Sequence, residues 1–296
     1  MSKPFRKEAD VNPVAGRSPI HFASSHATRI GAVALLAALV AGCGETDTGT
    51  ATSPSQRTAQ TEQTEQTEQT ETAHTAASYF AAIASRDVAE LESASSLVAL
   101  GSPAAAYLTY TLEVARALDE QGKTAPPAAF SEAEDSYSMC DGVGEKRTCL
   151  EWTDIEMRGD KLVAFNLAGE PVSSRVTAGD PSRTSTSSAA EIEFVAAYSS
   201  PTSGALFVVS RVTARQSLDL EAGTRSAYVA ADDTEFPVVD RLGVDAVEAG
   251  TTRIVVHVFA DAPIGGEVRY EFAIGDGDGD GDSTRTHTLA VPPPAR

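Results

Sequence analysis

Histidine and cysteine are scarce in this chain of 296 residues, basic residues are few, and no apolar run is long. Each shortage closes a class of function. Of five histidines, His74, His257 and His287 are the three beyond residue 42. The first sits at the margin of a polar segment and the third near the tail, while His257 alternates with Val256 and Val258, a spacing that points it outward from a strand. Neither G-x-S-x-G nor H-E-x-x-H occurs, so the usual sequence signs of a serine nucleophile or a zinc-bound water are missing. Lys and Arg number 23 against 42 Asp and Glu, a net charge of -19. Such a surface repels phosphate backbones and anionic headgroups, which rules out nucleic acid as a partner. Gly122-Lys123-Thr124 has the ending of a phosphate loop without its opening glycine, since Ala117 stands there, and it closes a helix instead of starting one. The apolar run from Ile30 to Gly42 carries no charge, yet as a helix it would reach only about 20 Å. A hydrocarbon core is roughly 30 Å thick, so the run does not span it.

What the chain does contain begins with that run. Arg29 precedes it, and Val40-Ala41-Gly42 lead into Cys43, placing small residues where a peptidase cleft must admit the backbone closely. The stretch resembles the signal peptide and lipobox of bacterial lipoprotein precursors, with residues 1–42 as the signal peptide. The resemblance implies that Val40, Ala41 and Gly42 are read by the signal peptidase and that Cys43 receives a diacylglyceryl group and becomes the mature N-terminus. It also implies further acyl chains such as palmitate and a protein anchored to the cell membrane, facing outward. At about 0.8 kcal/mol per buried CH₂, two acyl chains anchor stably. Residues 1–42 hold five of the 23 basic and two of the 42 acidic residues, so the chain from Cys43 onward carries -22. The lipid, not the protein surface, must then hold the membrane, and other envelope proteins are the remaining class of partner. The alternative, a buried core helix with an incidental cysteine, fits poorly with the loose polar chain before it and the repeat after it.

Setting Cys43 aside leaves one pair, Cys140 and Cys149. An exported compartment permits a disulfide between them, and closing so short a loop stabilises by about 2.7 kcal/mol on the chain-entropy model. A metal pair is the alternative, but no nearby histidine or further cysteine completes a tetrahedral set.

Residues 43–72 are rich in Thr, Glu, Gln and Ser and carry the repeat TEQTEQTEQTE. They offer little to bury and read as a disordered linker, or as a threonine-rich glycosylated stalk. Folding is expected from Ala73. Tyr79, Phe80 and Ile83 share one helical face; Asp87 and Glu90 form a capping box for a second helix; Ser102 and Pro103 open a third, with Leu108, Leu112, Ala115 and Leu118 at helical spacing and Gly122 as its stop. After Pro126-Pro127 come short strands at Ser136–Cys140, Thr148–Met157 and Lys161–Asn166, parted by Asp141-Gly142 and Gly159-Asp160. Helices followed by a curved antiparallel sheet, with Tyr79-Phe80 on the first helix, resemble the cone-shaped nuclear-transport-factor-like fold. That resemblance places an α+β domain over 73–176 and implies no residue roles.

A Ser/Thr-rich break, 177–190, separates this from a region where helical periodicity vanishes. Ile192, Phe194, Ala196 and Tyr198 alternate, as do Leu206, Val208, Ser210 and Val212, then Ile254, Val256 and Val258, then Val268, Tyr270, Phe272 and Ile274. Period-2 runs between Gly, Pro and Asp turns predict an antiparallel β-sandwich over 191–291 with one buried face per sheet, followed by a tail at 292–296. Leu206-Phe207-Val208-Val209, Ser226 to Val229, Thr234 to Phe236, Ala249-Gly250-Thr251, Ile254 to Phe259 and Pro263 resemble the immunoglobulin-like extracellular modules of Gram-positive lipoproteins. Ala214 and Asp232-Asp233 depart from the asparagine and the Asp-Gly turn often found there. The fold class expected is therefore α+β followed by an all-β, immunoglobulin-like sandwich.

Chemistry is thinly written. In GDGDGDGD, Asp276, Asp278, Asp280 and Gly281 match the opening of a calcium loop, where alternate carboxylates face a hard cation. Position 12 is His287 where a bidentate Glu belongs, so the run reads either as a flexible acidic loop or as a loose Ca²⁺ site. Glu151, Asp154 and Glu156 offer a carboxylate pair for acid/base work on glycans, or a solvated strand. Trp152 is a core or rim aromatic. No catalytic residue and no cofactor is predicted. The expectation is a non-catalytic binding or envelope-assembly lipoprotein, with an envelope enzyme or small-ligand receptor using a pocket in residues 73–176 as the alternative.

Overall fold

The second and third helices begin where the sequence supplies a cap. α1, seen over residues 72–85, buries Ala76, Tyr79, Phe80 and Ile83 on one face. It gives way at Arg86, which takes a φ of 58°, to α2, Val88–Ala94. The Asp87 carboxylate accepts from the backbone N–H of Ala89 and Glu90 at 2.9 and 3.1 Å, but the reciprocal half of the box is absent: the Asp87 N–H donates to Ser85 Oγ. α3, Pro103–Glu120, starts on Ser102, whose hydroxyl accepts from the Ala105 N–H at 3.1 Å. It stops at Gly122, where a φ of 65° lets the Lys123 N–H reach back to the Leu118 carbonyl at 2.9 Å. The Gly-Lys-Thr triplet is thus the end of a helix. The computed structural model describes residues 72–179, 183–220, 226–274 and 283–294, all within one compact unit; no described helix is long and apolar enough to cross a membrane.

A five-stranded antiparallel sheet follows in chain order: β1 Ala129–Glu132, β2 Tyr137–Asp141, β3 Thr148–Arg158, β4 Lys161–Leu167 and β5 Glu170–Pro171. Its three main strands lie within one residue of their predicted bounds. β1 lacks a period-2 signature because most of it faces solvent. Cys140 stands directly opposite Cys149 on the neighbouring strand, and the two sulfurs are at bonding distance, 2.10 Å.

The remaining strands are β6 Val176–Ala178, β7 Thr184–Thr186, β8 Ala190–Ser199, β9 Leu206–Ala214, β10 Leu218–Asp219, β11 Ala227–Val229, β12 Glu235–Gly243, β13 Ala246–Val247, β14 Thr252–Phe259, β15 Glu267–Ile274 and β16 Ser283–Ala290. One layer runs β12-β14-β9-β8, with β6 and β7 both on β8. The other runs from β12 through β11 to β15, which also pairs with β10 and β16. β12 belongs to both: Glu235–Pro237 pair with β11, and from Val238 onward the strand pairs with β14, with a register shift between Val238 and Asp240. Antiparallel sheets in two layers agree with the expected sandwich. The segment 177–190, expected as a break, instead contributes β7 and most of β6.

Core placement departs from simple alternation. β8 carries a register shift between Phe194 and Ala196, and such a bulge flips the phase of every later side chain. Ile192 and Phe194 therefore enter the core between the two layers, while Ala196 and Tyr198 join the core that holds the helices. β14 divides likewise, with Val255 and Phe259 inside the sandwich and Ile254 and Val256 under α3. This layer is buried on both faces, because α3 lies across its outside; a sheet so covered reads as a continuous apolar run. Gln121, at the end of α3, donates from Nε2 to the Gly243 carbonyl of β12 and ties helix to sheet.

Candidate functional site

α3 lies between the five-stranded sheet and the sandwich, and beside it opens a cleft of about 440 Å³. Ile83, Met139 and Leu150 line it from the first sheet and α1, Val114, Ala115 and Leu118 from α3, and Tyr198 and Phe207 from the sandwich. The cleft is therefore not confined to 73–176: one wall belongs to the sandwich, brought there by the β8 bulge that turns Tyr198 outward.

The wall is aromatic. Tyr110 and Tyr198 have ring centroids 4.5 Å apart, Tyr107 lies 5.4 Å from Tyr198, and Phe207 6.0 Å from Tyr110. Burial pushes the Tyr107 hydroxyl up to about 12, against the lowering pull of the Tyr198 hydroxyl, the Arg86 charge and the Trp152 indole. Burial also raises Tyr110 and Tyr198, in both cases reinforced by Tyr107. All three stay protonated at neutral pH and present hydroxyls, not phenolates. Among the lining residues, Arg86 Nη2 pairs with Asp141 Oδ2 at 2.5 Å and Arg86 Nη1 donates to the Pro126 carbonyl at 3.0 Å. Ser200, Thr202 and Ser203 also line the cleft. Such a site can enclose an apolar or aromatic group and meet a polar one beside it.

The carboxylates considered for acid/base work lie elsewhere. Glu151, Asp154 and Glu156 are exposed on β3, and Asp154 accepts from Asn166 Nδ2 at 2.8 Å. Glu151 and Asp154 join Glu134 and Asp135 around a second, open depression of about 680 Å³. None of the three lines the aromatic cleft. Trp152 is a core residue, fully buried and stacked on Phe80 at 4.7 Å.

His257 does not point outward. It is 6% exposed, faces the sandwich interior 5.0 Å from the Tyr270 ring, and its Nδ1 has no hydrogen-bond partner. Burial, helped by the Arg241 charge, lowers its pKa to about 3. The alternation holds with the opposite sense to the one expected, because Val256, on the other face, is covered by α3. His287 is also buried, stacked on Phe272 at 5.1 Å with Nδ1 3.3 Å from Ser185 Oγ, and burial lowers its pKa.

Glu113 is a polar feature the sequence reading passed over. It is 4% exposed on α3, where Oε1 meets Arg116 at 2.9 Å and Arg211 of β9 at 3.5 Å while Oε2 has no partner. The signal that points to it is its place in the spacing Tyr110, Glu113, Ala117, all buried. Among the described residues no group of three or more His, Cys, Asp or Glu is placed to hold a metal. Val40, Ala41, Gly42 and Cys43, and Asp276, Asp278 and Asp280, lie outside the described residues.

Comparison with protein-family models, with curated proteins and with solved structures finds no match to this chain.

Proposed function

We propose that this chain is a lipid-anchored, extracytoplasmic protein that works as a non-catalytic binding or envelope-assembly module. The observation that carries the proposal is Arg29, a charge-free apolar run and Val40-Ala41-Gly42-Cys43 in succession. The strongly acidic chain supports it, since a surface of that charge gains nothing from anionic headgroups and needs a lipid to stay at a membrane. The sandwich is read as an immunoglobulin-like module, held away from the bilayer by the Thr/Glu/Gln linker. Radiolabelled palmitate fed to bacteria expressing the full chain should enter the protein and be lost in Cys43→Ser, which should also leave the membrane fraction. Unlabelled protein with an intact Cys43, recovered from the cytosol, overturns the proposal.

The cleft favours a second reading, a small-ligand receptor. Its volume falls in the range of ligand pockets, and apolar and aromatic side chains line it together with Arg86, Asp141 and a set of hydroxyls. The two readings are compatible, since a tethered receptor is also a binding module.

A further inference from the structure

Arg86 and Asp141 are the two charged side chains that line the aromatic cleft, and they are paired with each other. A ligand with a net charge finds no net counter-charge there, and an anion also meets the field of a chain carrying -19. A ligand bearing one charge of each sign about one atom apart has the complementary arrangement, because it can replace one internal ion pair with two.

Resting on the receptor reading of this cleft, we propose that it binds a zwitterionic α-amino acid with an aromatic or large apolar side chain. The α-carboxylate meets the Arg86 guanidinium, whose fork suits a carboxylate. The α-ammonium meets Asp141. The side chain enters the cleft beside Tyr110, Tyr198 and Phe207, whose rings favour an offset or edge-on partner. Opening the pair costs little, since the Asp141 side chain is 51% exposed and exposed ion pairs hold weakly. Arg86 stays oriented when Asp141 is released, because Nη1 remains on the Pro126 carbonyl. Arg86 also holds a φ of 58°. For a residue with a side chain that region is sparsely occupied and kept only under constraint from its surroundings.

Titration calorimetry on the detergent-solubilised full chain tests this with L-phenylalanine, L-phenylalaninamide, N-acetyl-L-phenylalanine, L-alanine and 2-phenylethanol. Phenylalanine should bind saturably at one site. Removing either charge, or the ring, should weaken binding at least tenfold. Arg86→Gln and Asp141→Asn should each weaken phenylalanine at least tenfold, and Val114→Trp, which fills the cleft, should abolish binding. The ligand series needs no altered protein, so a misfolded variant does not blunt it. If all the phenyl compounds bind within threefold of one another, the zwitterion proposal is overturned while the receptor reading stands. If none binds, both fall. If Val114→Trp still binds phenylalanine as a folded protein, the site is not this cleft and the proposal is overturned.

Discussion

The core under the helices and the core inside the sandwich are built from different materials. The first centres on Phe80, with Trp152 and Tyr137 stacked on it at 4.7 and 4.9 Å and Tyr79 and Phe165 set edge-on. The second is mostly aliphatic with Phe194, Phe259 and Phe272, yet it encloses polar groups: Ser210 bonded to the Tyr270 hydroxyl, and the two histidines. An interlocked aromatic core carries little that titrates near neutrality, whereas buried neutral histidines make a core sensitive to acid. A disulfide-distance cysteine pair braces the first region, and among the described residues the second has no counterpart.

The contrast can be broken in order of expected effect. Phe80→Ala removes the ring on which four others lean and should cost about 3–5 kcal/mol by urea denaturation. If Phe272→Ala shifts the same single transition, the two cores unfold as one through α3; two separated transitions would show them independent. Replacing Cys140 and Cys149 by serine should cost about 2.7 kcal/mol, and chemical reduction of the unaltered chain should match it.

Acid should act on the second core. The folded-state pKa of His257 is about 3, against roughly 6.5 in an unfolded chain, so the unfolded state binds the proton more readily. Stability is then complete above about pH 6.5 and falls as pH drops toward 3, by up to about 1.4 kcal/mol per pH unit for this group. His287 acts with the same sign. His257→Leu should flatten the acid limb of a denaturation series from pH 7 to 4; an unchanged slope would remove His257 from the account. Smallest is Asp87→Ala, which deletes the cap of α2 and should cost about 1 kcal/mol in thermal denaturation.

The two regions were also unequally legible. Tyr79, Phe80 and Ile83, the Asp87 and Ser102 caps, the Gly122 stop and three strands of the first sheet were readable because each depends on neighbours a few residues away. In the sandwich the runs that became β8, β9, β11, β14 and β15 were readable, whereas β7, β10, β13 and β16 were not, and neither were the faces. The four alternating residues of β8 were assigned one face, and the bulge after Phe194 splits them between two cores. His257 was turned outward because Val256 and Val258 flank it, and nothing in that pattern reveals that α3 covers the face opposite. The aromatic cleft was unreadable for a related reason: Arg86, Tyr110, Asp141 and Tyr198 are scattered along the chain, and no local spacing joins them.

By itself, then, the order of residues determined the caps of α2 and α3, the longer antiparallel strands and an acidic chain hostile to phosphate. Those follow from backbone geometry, side-chain period and charge, all of which act locally or additively. Which faces are buried, where the histidines point and where a cleft opens were decided by the tertiary structure. They depend on one helix laid across a sheet and one extra residue in a strand, and a sheet covered on both sides no longer betrays its inside through alternation.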